Sequence, residues 1–104
     1  SKAFADQTFR VANNETVIAA FSKNEITRVS FQDDIVSVNS LKGEFEYEVQ
    51  GRELFLRVSV DKPINFFVKI QNGNIYKIIA TPEDIAATQI FVKPKIMNKH
   101  KCKI

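Results

Sequence analysis

Apolar and polar residues alternate with a period of two along most of the chain, which is the pattern of half-buried β-strands. The clearest case is residues 44–49 (EFEYEV), with glutamates on one face and Phe45, Tyr47 and Val49 on the other. Similar runs fall at 7–12, 16–21, 53–60, 64–71, 75–80 and 88–92. Short strands at roughly ten-residue spacing predict an all-β fold, an antiparallel sandwich or barrel of about 7–9 strands.

Residues 25–38 predict a β-hairpin around the polar segment 32–34 (QDD), which suits a chain reversal between two β-branched, apolar runs. One face of the first run holds Thr27, Val29 and Phe31, and one face of the second holds Val36 and Val38. A second hairpin is predicted at 72–74 (NGN), because Asn-Gly supplies the two positive φ angles of a type I′ turn. Its first strand has a core face formed by Ile64, Phe66, Val68 and Ile70.

Two segments fit the strand period less well. Residues 16–21 fit a strand with Val17, Ala19 and Phe21 inward, but the Ala19-Ala20 pair also permits a helix over 16–23. Residues 81–87 (TPEDIAA) place a proline after an N-cap residue and before two acids. That order predicts either one short helical turn near 82–87 or a turn stiffened by Pro82.

Charge and length divide the chain into a domain at 1–92 and a lysine-rich linker or tail at 93–104. The tail holds five lysines and no acidic residue, so the formal charge of +3 becomes −2 over the first 92 residues. A slightly acidic body argues against nucleic-acid binding by the folded part. The single cysteine, Cys102, has no partner for an internal disulfide.

The polar clusters predict no catalytic, cofactor or metal site. Asp33 and Asp34 are interpreted as turn formers, and the glutamates of 44–48 as a solvated strand face. His100 and Cys102 offer two soft ligands where a structural zinc needs four. We therefore expect no enzymatic activity and no cofactor.

Aromatic residues on the outer faces of strands give the strongest candidate surface. Phe55, Phe67 and Phe91 alternate away from the inferred core of their strands. Exposed apolar residues on several strands suggest a partner-binding surface. The predicted protein interface consists of Phe55, Phe67, Ile90 and Phe91.

Four ordered motifs resemble the N-terminal domain of the TraK family, the secretin-like proteins of F-type conjugal transfer systems. They are ITRV with DDI (26–29 and 33–35), LFLRV through PINFFV (54–58 and 63–68), GNIYKII (73–79) and TPEDIAA (81–87). Together they cover roughly residues 15–92. Asp34 stands where family members often have Arg, and Ala86 where Pro is frequent.

The resemblance implies a periplasmic β-sandwich in the outer-membrane core complex of a type IV secretion system. It implies a ring with other copies and with TraB-type and TraV-type partners, a signal peptide before Ser1 and a second β-rich domain after Ile104. The leading hypothesis is thus a non-enzymatic structural subunit used in DNA transfer. The alternative is a stand-alone periplasmic module that binds glycan or peptidoglycan through Phe55 or Phe67. A third reading, single-stranded nucleic-acid binding on a barrel, is disfavoured by the acidic body.

Overall fold

The computed structural model describes residues 6–41 and 44–95, which form nine β-strands in two facing sheets. The strands are β1 (Gln7–Val11), β2 (Thr16–Ser22), β3 (Thr27–Ser30), β4 (Ile35–Ser40), β5 (Phe45–Gln50), β6 (Glu53–Val58), β7 (Ile64–Ile70), β8 (Ile75–Glu83) and β9 (Gln89–Pro94). Sheet I has the order β1-β9-β3-β6-β5, and sheet II the order β2-β8-β7-β4. The predicted all-β sandwich is confirmed.

One core lies between the sheets and is built from every second residue of the strands. In β7 the burial alternates without exception, because Ile64, Phe66, Val68 and Ile70 point inward while their neighbours are exposed. Aromatic rings join the layers: Phe45 of sheet I lies 4.8 Å from Phe66 of sheet II, centroid to centroid. The inward faces predicted for 16–21 and 64–70 are confirmed, and in the run 53–60 the buried residues are Leu54, Leu56 and Val58.

The predicted hairpin around residues 32–34 is wrong, because β3 lies in sheet I and β4 in sheet II. Phe31 is buried, and its ring stacks on that of Tyr76 in sheet II with 6.2 Å between the ring centroids. The chain therefore crosses from sheet I to sheet II at this point. The connection is held by the β5–β6 turn instead of by a strand ladder. Phe31 N–H donates to Arg52 O and Ile35 N–H donates to Gly51 O, each at 2.9 Å.

Val36 and Val38 do not share a face, contrary to prediction. The register of β4 on β7 shifts between Ile35 and Ser37, so Ile35 and Val38 both pack on the core and Val36 is 54% exposed. This is a β-bulge, in which one extra residue reverses the alternation that follows it.

Both sheets are mixed rather than purely antiparallel. β9 pairs in parallel with β1 and with β3, and β2 pairs in parallel with β8. The remaining pairings are antiparallel. A period-two pattern fixes which face of a strand is buried but not the direction of its neighbour, so the sequence did not reveal these parallel pairs.

Residues 81–83 form neither of the two turns left open for 81–87, since β8 continues to Glu83 beside β2. Pro82 fits a strand here because β7 pairs with β8 only as far as Ala80. Hydrogen bonds from Lys77 N to Glu15 O and from Lys23 N to Glu83 O show which residues of β8 face β2. In that alternation the nitrogen of Pro82 points toward the β7 side, where the pairing with β7 has already ended. No ladder hydrogen bond is therefore lost. The strand reading of 16–21 is confirmed over the helical one.

The hairpin at 72–74 is confirmed, but its turn is not the predicted two-residue type. Of this segment only Gly73 has a positive φ, 98°. Gly73 N–H donates to Ile70 O at 2.9 Å, and Ile70 N–H donates to Asn74 O at 3.0 Å, which closes a loop of three residues, 71–73. The loop still needs glycine, because few side chains tolerate that φ.

Glu15 ties the β1–β2 turn to the end of β9. Its carboxylate accepts the N–H of Ala12 at 2.8 Å and lies 2.9 Å from Lys95 Nζ. The Ala12 N–H first, and Lys95 second, lower the pKa of Glu15 below its ordinary value of 4.5. This junction therefore favours the ionised carboxylate.

The predicted tail at 93–104, which includes His100 and Cys102, lies mostly outside the described residues. Lys93 and Pro94 themselves belong to β9. Over 6–41 and 44–95, no helix is long and apolar enough to cross a membrane.

Candidate functional site

An apolar patch crosses the outer face of sheet II. It consists of Ile18, Leu41, Phe67 and Ile79. Leu41 is 69% exposed, Ile18 61% and Phe67 42%, while Ile79 is half-buried. Large apolar side chains at this exposure are unfavourable in water unless something covers them, so the patch is the first candidate for a contact surface.

The strand register builds this patch from residues far apart in the sequence. Ile18 of β2 lies beside Ile79 of β8, and the next residue across the sheet is Asn65 of β7. Phe67 follows Asn65 by two positions and lies beside Lys77. Such diagonal neighbours are about 7–8 Å apart, within reach of an aromatic ring. Ile18, Ile79 and Phe67 are therefore neighbours across β2, β8 and β7.

A shallow depression of about 260 Å³ lies at the end of the patch. It is lined by Asn39, Ser40, Leu41, Asn65 and Phe67. These residues come from β4, β7 and the loop after β4. The lining is uncharged and includes two amide side chains. It suits a partner that offers apolar atoms together with hydrogen-bonding groups.

The charged side chains of the rows around Phe67 are lysines. Lys77 lies beside Phe67, and Lys69 lies two residues along β7 on the same face. Neither lysine is among the ion pairs of the described residues. The patch is therefore flanked by positive charge.

The outer face of sheet I has a different character, since two of its arginines pair with glutamates on neighbouring strands. Arg57 lies 3.0 Å from Glu46 across the β5–β6 ladder, and Arg28 lies 3.5 Å from Glu53 across the β3–β6 ladder. Arg28 also donates to Gln89 Oε1 at 2.8 Å. This network satisfies its own polar groups and leaves few of them for a partner.

Two of the predicted interface residues, Phe55 and Phe91, lie within this charged face, and both are half-buried. Lys93 Nζ lies 5.5 Å from the centre of the Phe91 ring, a cation–π distance. Phe55 lies between Arg28 and Glu48 in the ladder. Phe55 also borders a depression of about 200 Å³. The lining residues are Ile26, Glu46, Tyr47, Glu48, Phe55, Leu56 and Arg57.

The structure does not bring the four predicted interface residues together. Phe55 and Phe91 share sheet I but are separated by β3, and Phe67 lies on sheet II. Ile90 is 1% exposed and packs in the core. Sequence reasoning missed Ile18, Leu41 and Ile79. A signal for Ile79 was present in the sequence, because the run 75–80 is apolar on both faces. Ile18 joins the patch only through the pairing of β2 with β8.

The acidic pairs singled out from the sequence are engaged locally. Asp34 N–H donates to the Asp33 carboxylate at 2.9 Å, the turn role predicted for it. Glu44 lies 3.4 Å from Lys62, and Glu46 pairs with Arg57. Within the described ranges no group of three or more His, Cys, Asp or Glu side chains is placed to hold a metal ion.

The family model described as the TraK N-terminal domain matches residues 10–100, most of the chain. A comparison with curated proteins gave no match. The match confirms the resemblance carried by the four motifs. The chain therefore belongs to the TraK N-terminal domain family and is a protein of conjugal transfer.

Proposed function

We propose that this chain is a non-enzymatic structural module of the outer-membrane core complex of a conjugative type IV secretion system. In this role it lies in the periplasm and contacts other copies of itself and TraB-type and TraV-type subunits. Family membership supports the conjugative role. The apolar patch on sheet II is the observation that supports a role as a structural module.

The patch supports a protein contact because of its composition and shape. Three of its four members are more than 40% exposed. Ile18 and Phe67 lie on a regular sheet face and Leu41 lies in the adjoining loop, which together offer a broad area to a protein rather than an enclosed site to a small molecule. An apolar centre with polar residues around it, here Asn39, Asn65 and Lys77, is the usual plan of such contacts.

The alternative, glycan or peptidoglycan binding, is less well supported by the same faces. Small ligands usually occupy pockets of about 300–1,000 Å³ that enclose most of their surface. The depression beside Phe55 is about 200 Å³ and that beside Phe67 about 260 Å³. Both fall below this range.

Co-purification of the full-length protein with TraB-type and TraV-type subunits tests the proposal. We expect the wild-type protein to recover both partners and Phe67→Asp to lose them, because a carboxylate in the patch must be desolvated on contact. Phe55→Asp, the matched change on sheet I, is expected to retain them. Failure of the wild-type protein to recover either partner would overturn the proposal. Glycan binding lost on Phe67→Ala would favour the alternative.

A further inference from the structure

The edge of sheet I at β5 has features that the apolar patch does not explain. β5 pairs only with β6, so one side of its main chain is open within the part of the chain described. Five of its six residues are exposed, and only Phe45 is buried. Tyr47 is 45% and Val49 37% exposed although both point toward the interior of the sandwich. An exposed, regular edge strand is a template for pairing with another chain.

The hydrogen-bond alternation identifies the free main-chain groups. Ser59 N–H donates to Glu44 O at 3.1 Å, next to the Phe45–Val58 pair. In an antiparallel ladder the residues that exchange hydrogen bonds alternate with those that do not. The main-chain groups of residues 46, 48 and 50 therefore face β6. Those of Tyr47 and Val49 face the open side.

The other sheet edges are obstructed by contacts of the chain itself. The Gln7 side chain holds Ala20 of β2, accepting its N–H at 3.3 Å and donating to its C=O at 3.0 Å. This amide joins the edges of β1 and β2. The β4 edge is interrupted by the bulge at Val36, and its first residue is tied to Gly51. Among the strands described, β5 is thus the edge best able to accept an additional strand.

The two faces of β5 specify the chemistry of such a strand. Tyr47 and Val49 present apolar surface on the inner face, whereas Glu46 and Glu48 lie on the outer face. Glu46 already pairs with Arg57, but the contact of Glu48 is a 3.4 Å hydrogen bond from the Gln50 amide. A strand alternating apolar and basic residues would cover the first face and neutralise the second.

A second copy of β5 does not fit this description. Antiparallel pairing of two β5 strands would bring the glutamates of one copy beside those of the other. Like charges placed opposite one another destabilise a strand pair. The complementary occupant is therefore a strand of different sequence.

We propose that β5 accepts, by strand addition, an extended segment of a partner protein in which basic and apolar residues alternate. The added strand exchanges main-chain hydrogen bonds with Tyr47 and Val49 and extends sheet I to six strands. Its apolar residues cover Tyr47 and Val49, and its basic residues lie along Glu46 and Glu48. This surface is separate from the apolar patch and does not depend on the proposed role in secretion.

NMR titration of the isolated 104-residue chain with a capped hexapeptide of alternating lysine and valine tests the proposal. We expect perturbation of the Tyr47 and Val49 amides and slowed hydrogen exchange at both. A matched peptide of alternating glutamate and valine is expected to bind at least about tenfold more weakly. Equal binding of the two peptides, or none by the basic one at low salt, would overturn the proposal.

Two variants separate main-chain pairing from charge. Val49→Pro removes an N–H that faces the open side, so it spares the β5–β6 ladder and should weaken peptide binding about tenfold or more. Glu48→Lys keeps every main-chain group and should move the preference toward the glutamate peptide. Phe67→Ala, on the other sheet, should leave both affinities unchanged.

Several results would contradict the assignment. One is unchanged affinity in Val49→Pro with a native spectrum. Another is unchanged peptide preference in Glu48→Lys, which decides the matter if the proline variant fails to fold. Dimerisation of the free chain through β5, seen by sedimentation, would show that a second copy is the occupant and would also overturn the proposal.

Discussion

The two outer faces of the sandwich differ in how their side chains are satisfied. On sheet I, arginines and glutamates pair across neighbouring strands, as in Arg57 with Glu46 at 3.0 Å. On sheet II, an apolar patch with three exposed members crosses the strands, and the charges beside Phe67 are lysines. Sheet I is thus a face adapted to solvent, and sheet II is a face that gains from being covered.

The adjacent residues Phe66 and Phe67 show a similar contrast, between a covered and an exposed side chain. Both are on β7, but Phe66 is 1% exposed and lies against Phe45, whereas Phe67 is 42% exposed. Exposure therefore distinguishes a phenylalanine that stabilises the fold from one that is available to a partner.

The largest effect is expected from truncating the inward ring. Phe66→Ala should lower the free energy of unfolding by about 3–5 kcal/mol, because it leaves a cavity between the sheets. Phe67→Ala removes an exposed ring and should change it by less than about 1 kcal/mol. Urea denaturation of both variants measures the difference. Equal losses would show that Phe67 is needed for the fold and would remove the basis for a contact role.

A smaller, pH-dependent effect is expected at the junction of the two sheets. The folded-state pKa of Glu15 is lowered, first by the Ala12 N–H and then by Lys95. A lowered pKa contributes stability above the unfolded value of 4.5, and that stability is lost as the pH falls through the folded value. Glu15→Gln should therefore destabilise the protein at about pH 7 and much less at about pH 3.

Urea midpoints of Glu15→Gln and the wild type at both pH values provide the measurement. Glu25→Gln serves as a control, since that carboxylate also accepts a main-chain N–H, from Ala87 at 2.8 Å, but is not among the lysine ion pairs. A difference between Glu15→Gln and the wild type that grows as the pH falls would contradict the assigned direction.

The smallest effect is expected on the charged face of sheet I. Arg57→Ala removes a pair whose side chains are 52% and 73% exposed, so the loss should be about 0.2–1 kcal/mol. High salt should reduce the difference further by screening. Denaturation at low and high ionic strength measures it. A loss above about 2 kcal/mol would show that this face stabilises the fold more than its exposure indicates.

The alternating pattern predicted which residues are buried, but not how the strands are arranged. It assigned Ile64 and Phe66 to the core because burial on one face is a local property of a strand. It failed at residues 32–34 because the course of the chain there depends on Phe31 meeting Tyr76, a contact between distant segments. It also failed at Val36, since one bulged residue reverses the alternation without a compositional signal.

The candidate surface on sheet II was likewise predictable only in part. The outward position of Phe67 follows from the alternation of β7. Its neighbourhood does not, because Ile18 joins the same face only through the parallel pairing of β2 with β8. Ile90 was predicted to lie on the interface together with Phe91, but adjacent residues of β9 point to opposite faces, and Ile90 lies in the core. A surface whose residues are brought together by strand register can therefore be predicted only once the strand pairings are known.

Site-specific photocrosslinking tests the central claim most directly. A photoreactive residue is placed at position 67 or, as the matched control, at position 55 of the full-length protein, in cells that carry the transfer system. The patch on sheet II predicts crosslinks from position 67 to another subunit of the secretion complex, and far fewer from position 55. Crosslinks from position 55 alone, or none from position 67 in an assembled complex, would contradict it.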